Sequence, residues 1–269
     1  MATPFEQSSF PEIYERVLVE PLFRPWVDSL LNEAELSPGD DVLDIACGTG
    51  IVARCAKERL GTSGRVVGVD VSPAMLEVAI ASAPDVDWRV GDALALPLAD
   101  GKEFDVVLCQ QGFQFFSDRQ AAVREMRRAL APGGRLALSS WCADTDFPVL
   151  FQLRRVAERH LGPIVDRRHC LGDATAVEDL LREEGFTDVR SKTEVREICF
   201  QDGGLFVRLN ALALLGMAES SSTMTDQERD RAIDAIAADS TEVVRANTDQ
   251  RGFVYEIGTN IVTARVGAS

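Results

Sequence analysis

An aspartate sits inside the end of one apolar run, two glycines follow closely, and a second aspartate ends the next apolar run. Asp44, Gly48, Gly50 and Asp70 are the residues whose types and spacing could do chemistry. The first run, Val42-Leu43-Asp44-Ile45-Ala46-Cys47-Gly48-Thr49-Gly50-Ile51-Val52-Ala53, reads as a buried strand, a tight turn and a helix. Such a turn exposes backbone N–H groups to a ligand, and glycine allows it because a residue without Cβ takes positive φ without steric cost. The second run, Arg65 to Val69, leads into Asp70 about twenty residues after the glycines, where a carboxylate can accept hydrogen bonds from both hydroxyls of a ribose. Together these features point to an adenosine-containing cofactor.

Gly48-Thr49-Gly50-Ile51-Val52-Ala53 also fits the G-x-G-x-x-A pattern of dinucleotide sites, so a nicotinamide-dependent oxidoreductase is one alternative. Asp44 argues against it: a carboxylate there opposes a pyrophosphate resting on the turn and suits a ligand carrying an ammonium and a sulfonium. With Gly91-Asp92-Ala93 after a third strand and the block Phe104 to Trp141, these motifs resemble the class I S-adenosylmethionine-dependent methyltransferases, within them the type 11, ubiquinone-biosynthesis-like group. The resemblance covers Tyr14 to Trp141 and fades beyond.

The resemblance implies that the Gly48 turn wraps the methionine part of S-adenosyl-L-methionine and that Asp70 binds its ribose. It also implies that Asp92 and the Ala93 backbone meet the adenine, and that Cys109, Gln110 and Gln111 face the methionine amino group and the acceptor. The cofactor-binding set is then Asp44, Ala46, Gly48, Thr49, Gly50, Asp70, Val71, Met75, Gly91, Asp92, Ala93, Cys109, Gln110 and Gln111. Asp92, ahead of Ala93-Leu94-Ala95-Leu96-Pro97, also reads as the cap of a short helix. A protein that binds this cofactor without transferring a methyl group would carry the same motifs, which is the other alternative.

Methyl transfer from a sulfonium is an in-line displacement in which alignment supplies much of the catalysis, and a base is needed only where the acceptor keeps its proton at neutral pH. The lip Gln110-Gln111-Gly112-Phe113-Gln114-Phe115-Phe116, with Trp141 at the next strand end, suggests a small apolar or aromatic acceptor touching Tyr14, Phe113, Phe115 and Trp141. The same rings also read as core packing. His169, because a histidine side chain ordinarily titrates near neutrality, and Tyr14 are candidate catalytic groups that also read as packing residues, and no catalytic residue is assigned. Asn-Pro-Pro-Tyr motifs of amino-group methylation are absent.

Strands alternating with amphipathic helices position these residues. The fold expected is α/β: a doubly wound, mostly parallel, seven-stranded Rossmann-like sheet with helical lid insertions, whose ligands sit at the carboxyl ends of the strands. Strands are expected at 41–46, 65–69, 86–90, 104–109, 135–141 and 189–200, with 252–266 as an antiparallel neighbour of the last at the far edge. Helices are expected at 73–82, with Ser72 as N-cap, at 118–130, stopped by Ala131-Pro132-Gly133-Gly134, and at 176–184, closed by Gly185. Residues 1–35 are expected to form an N-terminal helical lid. Residues 36–269 are expected to form the cofactor-binding domain, with helical insertions at about 147–172 and 203–246.

The 269 residues carry 43 acidic and 28 basic side chains, a formal net charge of −15 that opposes a nucleic-acid partner. The clusters Arg124, Arg127, Arg128 and Arg154, Arg155, Arg159 read as solvated helix faces. Six scattered cysteines without a C-x-x-C pair suggest buried, reduced thiols and a cytoplasmic setting. Met1-Ala2-Thr3-Pro4 lacks the features of a signal peptide, and no apolar run approaches the ~20 residues of a membrane span. Two histidines make a metal site unexpected. The partner expected is a small-molecule acceptor, with no nucleic acid and no membrane; homodimerisation is left open.

Overall fold

A computed structural model of the chain describes residues 9–99 and 104–268. The first eight residues of the expected N-terminal lid lie outside this range. The remainder begins with α1 (Phe10–Ile13), continues through a wider-turned helical stretch, Tyr14–Phe23, and enters α2 (Arg24–Glu33). Pro21 sits inside the wide stretch, where it offers no N–H, and the Arg24 N–H reaches back five residues to the Val19 carbonyl.

The alternating segment follows as β1 (Val42–Ile45), α3 (Ile51–Leu60), β2 (Val66–Asp70), α4 (Pro73–Ser82), β3 (Asp87–Val90), β4 (Phe104–Gln110), α5 (Arg119–Ala129) and β5 (Leu130–Trp141). Ser72 caps α4 through Met75 N–H at 3.3 Å. The segment 131–134 does not simply separate helix from strand: Leu130 pairs with Phe104 and Arg135 with Val106, so the Pro-Gly-Gly residues form a bulge inside β5.

The chain closes with α6 (Pro148–Leu161), α7 (Thr175–Glu183), β6 (Thr187–Phe200), α8 (Gly203–Leu215), α9 (Asp226–Asp239), α10 (Thr241–Ala246), β7 (Thr248–Asp249) and β8 (Gly252–Arg265). The sheet order is β3-β2-β1-β4-β5-β8-β6, with the two-residue β7 added beside β8. β1 to β5 are parallel in this order. β8 runs against β5, as the bonds Val266 N–H to Gly134 O and Cys142 N–H to Gly258 O require. It therefore lies between β5 and β6, and the far edge belongs to β6.

Two compact units are present. The first comprises Met1–Ser140, Asp173–Thr193 and Asn260–Ser269. On one face of its sheet Val42, Val106, Leu108, Ala137 and Ile261 pack with Val27, Leu30 and Leu31 of α2 and Val52, Ala53 and Ala56 of α3. The second comprises Trp141–Gly172 and Glu194–Thr259. Val156 and Leu161 of α6, Ala211 and Leu214 of α8 and Ile233 and Ile236 of α9 share its core. Beside them Phe200, Phe206, Phe253 and Tyr255 stack with centroid distances from 4.5 to 6.3 Å.

Three further expectations change. Arg154 is not on a solvated face; its side chain is partly buried in ion pairs with Asp144 and Glu158. Cys170 is exposed and Cys199 partly so, because they lie in a turn and near the end of the edge strand, while Cys47, Cys55, Cys109 and Cys142 are buried. No helix follows Asp92, which bonds within its own turn instead.

Candidate functional site

Parallel strands deliver Asp44, Asp70, Gly91 and Gln110 to one end of the first unit's sheet, because each lies in the last two residues of a strand of the same direction or immediately follows one. Between β1 and α3 the chain turns through Ala46 (φ +56°), Gly48 (φ +56°) and Gly50 (φ +89°). A Cβ on Gly48 would meet nothing within 4 Å, so this stretch of backbone stands open to a ligand. Gly50 has a second reason beyond its φ. A Cβ there, or on Gly68 of β2, would run into the Trp88 indole, which lies over the turn with its N–H donated to Ala83 O at 2.8 Å. Trp88 was not among the expected site residues, since a glycine reports a missing side chain without naming what takes its place.

Asp70 holds the turn directly. Its Oδ2 accepts the Gly48 N–H at 2.8 Å and its Oδ1 accepts the Ser72 N–H at 2.8 Å, leaving each oxygen further lone-pair capacity for a ribose hydroxyl. Val71 beside it is 69% exposed, and Met75 on α4 is half-buried. Asp44 is 1% exposed and its carboxyl accepts the Ala53 N–H at 3.1 Å. Burial, reinforced by the nearby Asp70 charge and opposed by that N–H, pushes its pKa up to about 8. Burial likewise raises the Cys47 and Cys109 thiols, with Asp44 adding to both shifts.

A second left-handed non-glycine residue of the site, Gln111 (φ +55°), follows β4, and its N–H bonds Ser139 O at 3.0 Å. Gly112 next to it brings the β4 and β1 ends together: a Cβ there would lie 2.6 Å from the Ala46 Cβ. Non-glycine residues at positive φ on both strand ends are the kind of strain that persists where surroundings over-determine it. Gln110 donates its amide to Phe23 O at 3.1 Å, while its Oε1 and the Thr49 hydroxyl are buried without a partner. The helical stretch also meets the turn at Arg54, which joins Glu15 at 2.7 Å and the Thr49 carbonyl at 3.3 Å. Tyr14 on this stretch has its hydroxyl pKa raised by burial and by Glu15 and Asp70, so it can donate a hydrogen bond and cannot act as a base near neutrality.

Asp92 is exposed and accepts the Leu94 N–H at 2.9 Å, with Ala93 buried behind it. The aromatic lip divides. Phe113 is 1% exposed and packs edge-on to Phe116 at 5.7 Å, so it serves the core, whereas Phe115 is 46% exposed. Trp141 and His169 belong to the second unit, Trp141 buried and His169 half-buried. His169 Nδ1 lies 2.6 Å from Cys142 O, which requires the proton on that nitrogen and leaves Nε2 as an acceptor. Burial, with Arg168 beside it, lowers its pKa and keeps the ring neutral.

S-adenosyl-L-methionine fits these residues. Among the described residues only backbone N–H groups bond to Asp44 and Asp70, so neither carboxyl group is tied up in an ion pair that would compete with a cationic ligand. The Thr49 hydroxyl and Gln110 Oε1, buried without a partner among the described residues, leave polar capacity for such a ligand. Among the described residues no cluster of His, Cys, Asp or Glu could hold a metal ion, and no described helix is long and apolar enough to cross a membrane.

The family model described as a methyltransferase domain matches residues 43–138. The chain is 33% identical over 159 residues to the 2-phytyl-1,4-naphthoquinone methyltransferase of Synechococcus elongatus, covering 56% of this chain and 67% of the relative. It is 32% identical to the nocamycin O-methyltransferase of Saccharothrix syringae, covering 69% of this chain and 72% of that one. In fold it matches the phosphoethanolamine N-methyltransferase 2 of Haemonchus contortus, solved with S-adenosylhomocysteine and phosphomonomethylethanolamine. There the TM-score is 0.58 at 18% identity, over 96% of this chain and 57% of that one.

Proposed function

The chain belongs to the S-adenosylmethionine-dependent methyltransferases, and from that premise we propose that its acceptor is a small, largely apolar or aromatic metabolite. The observation that carries this reading is the exposed Phe115 ring just past Gln110 and Gln111, which offers an apolar surface where β4 ends. The names of the quinone and nocamycin relatives agree with it. A net charge of −15 works against a phosphate-rich polymer.

When bound, S-adenosyl-L-methionine supplies a methyl group activated on a sulfonium. In this reading Asp70 holds the ribose, Thr49 and Gln110 the methionine end, and Val71 and Met75 the flank of the adenine, with Asp92 and Ala93 at its edge. Asp44 places negative charge beneath the glycine turn. The helices from Phe10 to Glu33 form a lid that excludes water, tied down through Gln110 and Arg54. Tyr14 orients by donating a hydrogen bond. No base is built among these first-unit residues, which suits an acceptor that ionises readily, such as a phenol or an enol. The reduced cysteines suit a cytoplasmic setting.

The test presents methyl-labelled S-adenosyl-L-methionine with three acceptor pools: phenols and quinols, polar amines, and RNA. Label entering the phenol and quinol pool is the expected result. Label confined to amines or RNA would overturn the acceptor assignment.

A further inference from the structure

The site contains a carboxyl group that the reading above uses only as a source of negative charge. Asp44 is held by a single N–H donor, that of Ala53, and no basic side chain among the described residues bonds to it. Asp44 is 1% exposed and lies in β1 opposite Gly68 of β2 and Leu108 of β4. Asp70, two residues beyond Gly68, Cys47 of the glycine turn and Cys109, next to Leu108, therefore share its strand ends, while Arg54 of α3 is engaged by Glu15 and the Thr49 carbonyl. The charge of Asp70 also bears on Tyr14 of the N-terminal helical stretch. A second carboxylate, two thiols and a phenol can each bring only negative charge or none. A buried carboxylate in such company lacks both water and a counter-ion, and it is relieved either by a proton or by a cation.

We propose that Asp44 carries a proton in the cofactor-free protein and releases it to solvent when the cationic cofactor binds, so that the pocket prefers the sulfonium donor to its neutral-sulfur product. The inference rests on the reading of the site as the S-adenosyl-L-methionine pocket. Donor and product share the ammonium and differ by the one positive charge on sulfur. Once the methyl group has left with that charge, Asp44 takes a proton back from solvent and the demethylated product loses a counter-ion. Neither thiol can stand in for it, since burial holds both protonated across the neutral range.

The experiment is calorimetry of the whole protein with S-adenosyl-L-methionine and with S-adenosylhomocysteine, in buffers of different ionisation enthalpy, from pH 6 to 9. With the free carboxyl titrating near 8, donor binding at pH 7 is expected to release close to one proton, and above pH 9 almost none. Product binding is expected to release clearly less. Asp44→Asn, a near-isosteric and uncharged replacement, should abolish the release and shrink the preference for donor over product by roughly tenfold. Equal release with both ligands, no release from the wild type at pH 7, or release persisting in Asp44→Asn would each overturn the proposal. Failure of both ligands to bind at all would instead overturn the reading of the pocket.

Discussion

Asp70 shows how one side chain serves two masters. Its carboxylate accepts N–H groups from Gly48 and Ser72, so it shapes the turn before any ligand arrives. Asp70→Ala should weaken S-adenosylhomocysteine binding by at least 10- to 100-fold, since even one charge-assisted hydrogen bond contributes roughly 1.5–3 kcal/mol. Calorimetry checks this, and unchanged affinity would remove Asp70 from the ribose site. The spacing of Asp44, Gly48, Gly50 and Asp70 was legible because it follows from backbone geometry shared by strand-turn-helix units. The reason for Gly50 was not. Besides allowing its positive φ, its missing Cβ makes room for the Trp88 ring, a contact between residues distant in the chain that no local pattern encodes. Likewise the run from Phe113 to Phe116 announced aromatic rings, but only the short turn at Phe113–Phe115 decides that the first points inward and the third outward.

Among the elements, the alternation of apolar runs and amphipathic segments made β1 to β5 and the helices between them readable, with ends displaced by a few residues. The helical stretch at the N-terminus was readable as helix but not in its pitch, because Pro21 alters which carbonyl each N–H can reach. That stretch is fastened at two points, Gln110 to Phe23 O and Arg54 to Glu15. The ion pair is partly buried, with side chains 15% and 26% exposed. Arg54→Ala should therefore speed amide exchange over residues 10–23 by roughly tenfold while β1 and β4 keep their protection. Mass-spectrometric hydrogen exchange reads this directly. Uniform exchange across variant and wild type would mean that the Gln110 bond and apolar packing suffice.

At the scale of the whole molecule, the insertions were visible as extra helices, but not their gathering with parts of β6 and β8 into a second unit. Such gathering depends on tertiary contacts, here the apolar faces of α6, α8 and α9. Both units are discontinuous: the chain passes from one to the other after Ser140, Gly172, Thr193 and Thr259. Strands β6 and β8 each contribute residues to both. Unfolding of one unit should then pull on the other, and scanning calorimetry should show a single transition whose calorimetric and van't Hoff enthalpies agree. Two resolved transitions would show that the units melt independently.

The place of β8 between β5 and β6 also governs the order of events on the ribosome. β6 emerges before β8, yet it cannot take its final position until β8 has paired with β5 beside it. The interior of the sheet is thus completed by a strand synthesised after the edge that flanks it. While α8 to α10 are being made, β6 has no sheet neighbour to pair with, and the β5 side meant for β8 is open. For that interval a nascent chain exposes two strand edges, the kind of surface that chaperones cover and that aggregates when they do not.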